Sequence, residues 1–245
     1  MHYIDHVPQE SSGFAEWGSL CHSIFEDYAK GNLAEYELLD AYDERYSEYM
    51  HSGFPPSRGG SLADKYYERG RELFATFDGF PDNLEILGVE QEVHLDVGGW
   101  HFIGYIDLLG RDKDTGKLVV IDHKSKSRFK SKEEQEHYTL QLYLYAQWVY
   151  EKYGEYPDRL VFNMFRVDDV VTIPFSKDDL EKAKKWFVDT IHAMEEDTDF
   201  WDKIALTYDK QSKPLSTYQC NDFFCKYLCG SRLSCQRSGL MITEE

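Results

Sequence analysis

Trp100-His101-Phe102-Ile103-Gly104-Tyr105-Ile106-Asp107-Leu108, and after a polar turn Lys117-Leu118-Val119-Val120-Ile121-Asp122-His123-Lys124, decide the fold. The first run alternates in part and the second is almost continuously apolar, the pattern of buried strands paired as a hairpin. Asp114-Thr115-Gly116 supplies the breaker between them. Asp107, Asp122 and Lys124 put two carboxylates and an ammonium at strand ends where unpaired charge is costly to desolvate. Residues 122 and 124 have the same parity and therefore share one face of their strand. A divalent cation resolves the conflict, with the aspartates holding it and the lysine beside the water it polarises. The stretch reads as a hydrolytic metal site.

Working outward, Ser11-Ser12 cap a helix from about 14 to 30 that ends at Gly31. Phe14, Trp17, Cys21, Ile24, Phe25 and Tyr28 recur along it at three and four, giving one buried stripe. Two further helices are expected near 34–51 and 61–77, separated by Ser52-Gly53-Phe54-Pro55-Pro56. Strands near 85–96, 100–109 and 117–123 follow. A helix near 133–153, closed by Gly154 and Pro157, leads to strands near 159–166 and 169–175 and a helix near 177–196. The tail from 198 reads as irregular. Helices flanking a central mixed sheet place the chain in the α/β or α+β class. The expected organisation is a core domain over 1–197 with a cysteine-rich tail over 198–245 packed on it.

The 245 residues suffice for a real core. No apolar run approaches the roughly 20 residues of a membrane span. Met1-His2-Tyr3-Ile4-Asp5 lacks a basic region followed by an apolar one, so no secretory signal and a cytoplasmic location are expected. The five cysteines then read as thiols or metal ligands rather than disulfides. A net charge of −18 argues at first sight against a nucleic-acid partner. Residues 124–132 nevertheless carry five cations and no acid, namely Lys124, Lys126, Arg128, Lys130 and Lys132. They read equally as a phosphate-facing segment or as a solvated basic loop.

His22, next to the apolar stripe, reads by itself as a structural histidine; beside the strand motif it becomes a metal-ligand candidate. Gln141 and Tyr145 are four apart, hence on one helix face, among Leu140, Leu142, Leu144 and Ala146. They read either as a helix-surface pair or as groups bonding near a substrate phosphate or the lysine. Glu90, Glu92 and His94 share strand parity before Asp107; one glutamate entering the metal site and an exposed acidic edge explain them equally.

Gly104-Tyr105-Ile106-Asp107, Asp122-His123-Lys124 and Gln141-Leu142-Tyr143-Leu144-Tyr145, with Gly18-Ser19-Leu20-Cys21-His22 upstream, resemble the PD-(D/E)XK nuclease superfamily, and within it the RecB-type branch. The ordered motifs run from residue 18 to 145. The resemblance implies a restriction-endonuclease-like fold in which His22, Asp107 and Asp122 bind Mg²⁺ or Mn²⁺ and the backbone carbonyl of His123 completes the shell. Lys124 would position or activate the attacking water, with Gln141 and Tyr145 supporting substrate and lysine. The proline that names the superfamily is replaced by Ile106. The implied activity is a metal-dependent DNase, most readily an exonuclease in recombination, repair or end processing, in a bacterial or phage-infected cell.

Cys220, Cys225, Cys229 and Cys235 crowd one aromatic segment, and four thiolates suit tetrahedral zinc or an iron–sulfur cluster. Paired Cys-x-x-Cys knuckles are missing, and RecB-type relatives place a [4Fe–4S] cluster on cysteines after the core, so a cluster is expected. Cys220 is favoured over Cys21 as fourth ligand. DNA ends are the expected partner, with no membrane, and a homo-oligomer or a helicase or recombination protein would add positive surface. Two readings compete: a catalytically silent nucleic-acid-binding or assembly subunit, and a hydrolase of small phosphate esters. The complete Asp107, Asp122 and Lys124 set disfavours the first, while the basic run and the Gln141/Tyr145 pair disfavour the second.

Overall fold

Ser12 starts the first helix, α1 (Gly13–Ala29), by taking the Ala15 N–H on its hydroxyl oxygen at 3.4 Å and the Glu16 N–H on its carbonyl at 3.0 Å. This is a computed structural model, and it describes residues 10–207, 223 and 227–230. The helix expected over 34–51 is split. A 3₁₀ turn at Glu35–Glu37 precedes α2 (Leu38–Tyr49), because the Glu37 carboxylate turns back to accept the Ala34 N–H at 2.8 Å. Ser61 caps α3 (Leu62–Thr76) through the Asp64 N–H at 3.1 Å.

Residues 10–25 and 33–77 form one compact unit together with the described tail residues. Its core is aromatic. The Trp17 and Tyr66 rings meet edge to face at 5.0 Å, and Trp17 Nε1 donates to Tyr42 Oη at 3.1 Å. Tyr42 Oη in turn reaches the Tyr66 and Tyr67 carbonyls at 3.3 and 3.2 Å. Gly70 makes this possible, since a Cβ there would lie 2.1 Å from Tyr42 Cζ.

The second unit comprises residues 26–32 and 78–207 of the described chain. Its five strands, β1 (Leu84–Val97), β2 (Trp100–Asp112), β3 (Leu118–His123), β4 (Arg159–Met164) and β5 (Asp169–Pro174), lie in that order in one sheet. All neighbours are antiparallel except β3 and β4, which run parallel. The parallel pair requires a crossover, supplied by α4 (Lys132–Tyr153). Val93, Ile106, Val120, Leu142, Leu144, Ala146, Val149, Leu160 and Phe162 make the buried core between sheet and helix. Leu180 and Ala183 of α5 (Lys177–Thr207) join it.

This is the α/β, mixed-sheet architecture expected of a restriction-endonuclease-like fold. One boundary is corrected: α5 continues to Thr207, so the stretch from 198 to 207 is helical rather than irregular. The run Phe187, Ile191, Met194, with its period of three and four, carries the helix past the polar 195–199 segment. No helix among the described residues is long and apolar enough to cross a membrane.

Candidate metal site

The β2–β3 register pairs Leu108 with Ile121, and one step further along the ladder Asp107 stands opposite Asp122. The His123 N–H donates to Asp107 Oδ2 at 2.6 Å, fixing that carboxylate at the end of β3. On the other side of β2, the pairs Val89–Leu108 and Gln91–Ile106 bracket Glu90 opposite Asp107. Oxygens of the Glu90 and Asp107 carboxylates approach within 4.8 Å. Three carboxylates thus stand in a row across three adjacent strands. Glu90 holds φ at 47°, a left-handed value that costs a non-glycine residue about 1–3 kcal/mol and concentrates at functional sites.

Burial, reinforced by the neighbouring Asp122 carboxylate, pushes Asp107 up to about 7, against the opposing pull of the His123 N–H and Lys124. Asp122 is 6% exposed, and Lys124 Nζ sits 2.7 Å from its Oδ2, so both side chains do share a face. The lysine is framed by rings, with Nζ 5.4 Å from the Tyr138 centroid and 6.0 Å from that of Phe162. Oxygen-only donors carrying several negative charges suit a hard divalent ion such as Mg²⁺ or Mn²⁺. The donor set present therefore fits the ion that such a site would hold.

Gln141 and Tyr145 form a pair: Gln141 Nε2 donates to Tyr145 Oη at 2.5 Å, and the Tyr105 N–H donates to the same oxygen at 3.3 Å. With two donors on that oxygen, the hydroxyl hydrogen is free for a further acceptor. Burial raises the Tyr145 hydroxyl's pKa, and the charges of Asp122 and Asp107 add to the effect, which puts the group beside both carboxylates in its protonated form. Gly104 makes the approach possible, since a Cβ there would lie 2.6 Å from Tyr145 Cε1. The His123 ring is buried, stacked on Phe80 at 5.9 Å, with Nδ1 2.9 Å from Asn163 Nδ2.

His22 is half-buried on α1 within the helical unit. Cys21 beside it is fully buried, and burial raises its thiol well above the ordinary range. Cys229 is half-buried; Cys220, Cys225 and Cys235 lie outside the described residues. The basic run is partly neutralised from α4: Lys126 Nζ is 2.5 Å from Glu134 Oε1, and Lys132 Nζ is 3.4 Å from Glu136 Oε1. The Lys130 N–H also donates to the Glu134 carboxylate.

Sequence reading grouped Glu90 with Glu92 and His94, and the structure separates them. Glu92 and His94 are exposed: Glu92 accepts from Tyr105 Oη at 3.1 Å, and His94 Nδ1 pairs with His101 Nε2 at 3.0 Å. Pairing register distinguishes Glu90: the bulge between Ile86 and Gly88 shifts β1 by one residue and sets Glu90 rather than Val89 opposite Asp107, while Glu92 faces Tyr105. Tyr138 and Glu134 were not singled out from sequence, and their helical spacing from Gln141 was the available signal. A model of the PD-(D/E)XK nuclease superfamily matches residues 1–236 of the chain. No curated protein matches it.

Proposed function

The chain belongs to the PD-(D/E)XK nuclease superfamily, and on that premise, which makes it a divalent-metal-dependent nuclease, we propose a deoxyribonuclease acting on DNA ends, most readily as an exonuclease in recombination, repair or end processing. The observation that carries the reading is the alignment of Glu90, Asp107 and Asp122 across β1, β2 and β3 with Lys124 on Asp122. Asp107 and Asp122 are proposed to hold Mg²⁺ or Mn²⁺, with Glu90 beside them. His22 and the His123 carbonyl join on the family pattern. A bound divalent ion would lower the pKa of an attacking water and stabilise charge on the phosphoryl oxygens.

Lys124, already paired with Asp122, orients that water and stabilises the developing negative charge. Tyr145 has its oxygen occupied by Gln141 and Tyr105 and so turns its hydrogen to a phosphate oxygen. Gln141 positions Tyr145. Asp122→Ala and Lys124→Ala are each expected to lower Mg²⁺- or Mn²⁺-dependent cleavage of labelled DNA at least about a hundredfold, with circular dichroism and Tm showing a folded protein. Wild-type rates in either folded variant would refute the assignment, and turnover of a chromogenic monoester with no DNA cleavage would redirect it to small phosphate esters.

For the tail we propose a [4Fe–4S] cluster on Cys220, Cys225, Cys229 and Cys235. Leaving out Cys21 follows from its burial, since an apolar site keeps a thiol protonated and thiolate is the ligand. Anaerobic purification with iron and sulfide analysis tests the cluster; a colourless protein with stoichiometric zinc would overturn it. Cytoplasmic action beside a helicase, or as a homo-oligomer, completes the proposal by supplying positive surface.

A further inference from the structure

Phe102, His137, Tyr138, Gln141, Trp186 and Phe187 line a cleft of about 390 Å³ between β2, α4 and α5. That volume falls in the roughly 300–1,000 Å³ range of small-molecule sites. Its walls are rings that keep part of their surface open. The His137 and Trp186 rings meet edge-on at 5.4 Å, and Phe102 meets Phe187 edge-on at 5.6 Å. Phe102, Tyr138, Trp186 and Phe187 are each only half-buried, so they offer faces to a guest.

Two lining residues tie the cleft to the metal site. The Tyr138 ring lies 5.4 Å from Lys124 Nζ and 4.3 Å from Lys126 Nζ. Gln141 is bonded to Tyr145. Ammonium groups therefore adjoin one end of an aromatic cleft, Lys126 paired with Glu134 and Lys124 with Asp122, and the arrangement matches a nucleotide with its phosphate at Lys124 and its base against the rings. His137 and Gln141 add donors and acceptors for a base edge.

Resting on the nuclease reading above, we propose that this cleft receives one unpaired nucleobase of the substrate strand, next to the phosphate held at Lys124. A base stacked and paired in a duplex cannot enter such a slot without being extruded. The substrate class is therefore single-stranded DNA or a frayed end, with recognition by stacking rather than by sequence.

The test compares fluorescein-labelled oligothymidylate with an oligonucleotide of the same length carrying abasic sites throughout, using the full-length protein. Anisotropy in EDTA reads binding without turnover, and Mn²⁺ then reads cleavage. Loss of the bases is expected to weaken wild-type binding at least about tenfold. Trp186→Leu, which keeps apolar bulk, narrows that gap to below about twofold, and Trp186→Phe restores it. Equal affinities for the two oligonucleotides in the wild type overturn the proposal, whatever the variants do. An unchanged gap in a folded Trp186→Leu protein overturns it as well. Base-dependent binding without Mn²⁺-dependent cleavage would support the cleft while sinking the nuclease reading; cleavage without base dependence would sink the cleft alone.

Discussion

The helical unit and the strand ends of the sheet unit both bury polar groups, and they stabilise them in opposite ways. Around Tyr42 the hydroxyl accepts from Trp17 and reaches two backbone carbonyls, so every polar atom finds a neutral partner. Around Asp107 three carboxylates converge, and the protein's own donors leave that group up to about 7. Pure structure settles its polar groups internally. A site meant for a cation crowds like charges that raise one another's pKa.

Packing gives the sharpest way to break this comparison. Gly70→Ala drives a methyl into the Tyr42 ring, and the ring cannot yield without losing the Trp17 bond. Denaturant melts should show a loss of about 1–3 kcal/mol or more, and a near-neutral result would mean that the aromatic core is looser than drawn. Metal-free Asp107→Asn should act the other way. Its folded pKa lies above the unfolded value, so the protonated form is favoured on folding, and stability falls as pH rises from about 4 to about 7. Asparagine still accepts the His123 N–H but carries no charge. The variant should match the wild type below about pH 4 and exceed it by on the order of 1–3 kcal/mol at pH 8. A variant less stable than wild type at pH 8 would show that the carboxylates are not crowded.

The smallest effect is expected at Asp112, a carboxylate satisfied by protein alone. Arg159 Nη2 donates to it at 2.9 Å, the Asp114 and Thr115 N–H groups each at 3.0 Å, and its pKa is lowered, chiefly by Arg159. A depressed pKa gives stability that is present above the unfolded value and lost as pH falls through the folded one. Asp112→Asn should lower Tm modestly at pH 7 and flatten its decline below about pH 4. An unaltered acid profile would count against the pairing.

Most of the architecture was legible because it follows from period and punctuation. Each expected strand and helix appears, the one over 34–51 split by a 3₁₀ turn, and Ser12, Ser61 and Ser131 cap where serine precedes an amphipathic run. The helix boundary near 198 was not legible, since the polar 195–199 segment masks a period that continues. The placing of Asp122 with Lys124 followed from parity, and that of Gln141 with Tyr145 from a spacing of four. Glu90 could not be chosen over Glu92, because the two share parity and only the pairing register, shifted by a bulge that no sequence pattern announces, sets which of them faces Asp107. The neutralisation of Lys126 by Glu134 was hidden because it depends on how the loop folds back on α4, whereas Lys132 and Glu136 are an ordinary pair four apart on that helix.

Metal titration is the most direct test of the central claim. Isothermal calorimetry of the wild type with Mn²⁺ at pH 7.5 should show saturable binding that Asp107→Asn and Asp122→Asn each abolish, while Asp112→Asn binds as the wild type does. Equal Mn²⁺ binding by wild type and Asp107→Asn, with both proteins folded, would contradict the account.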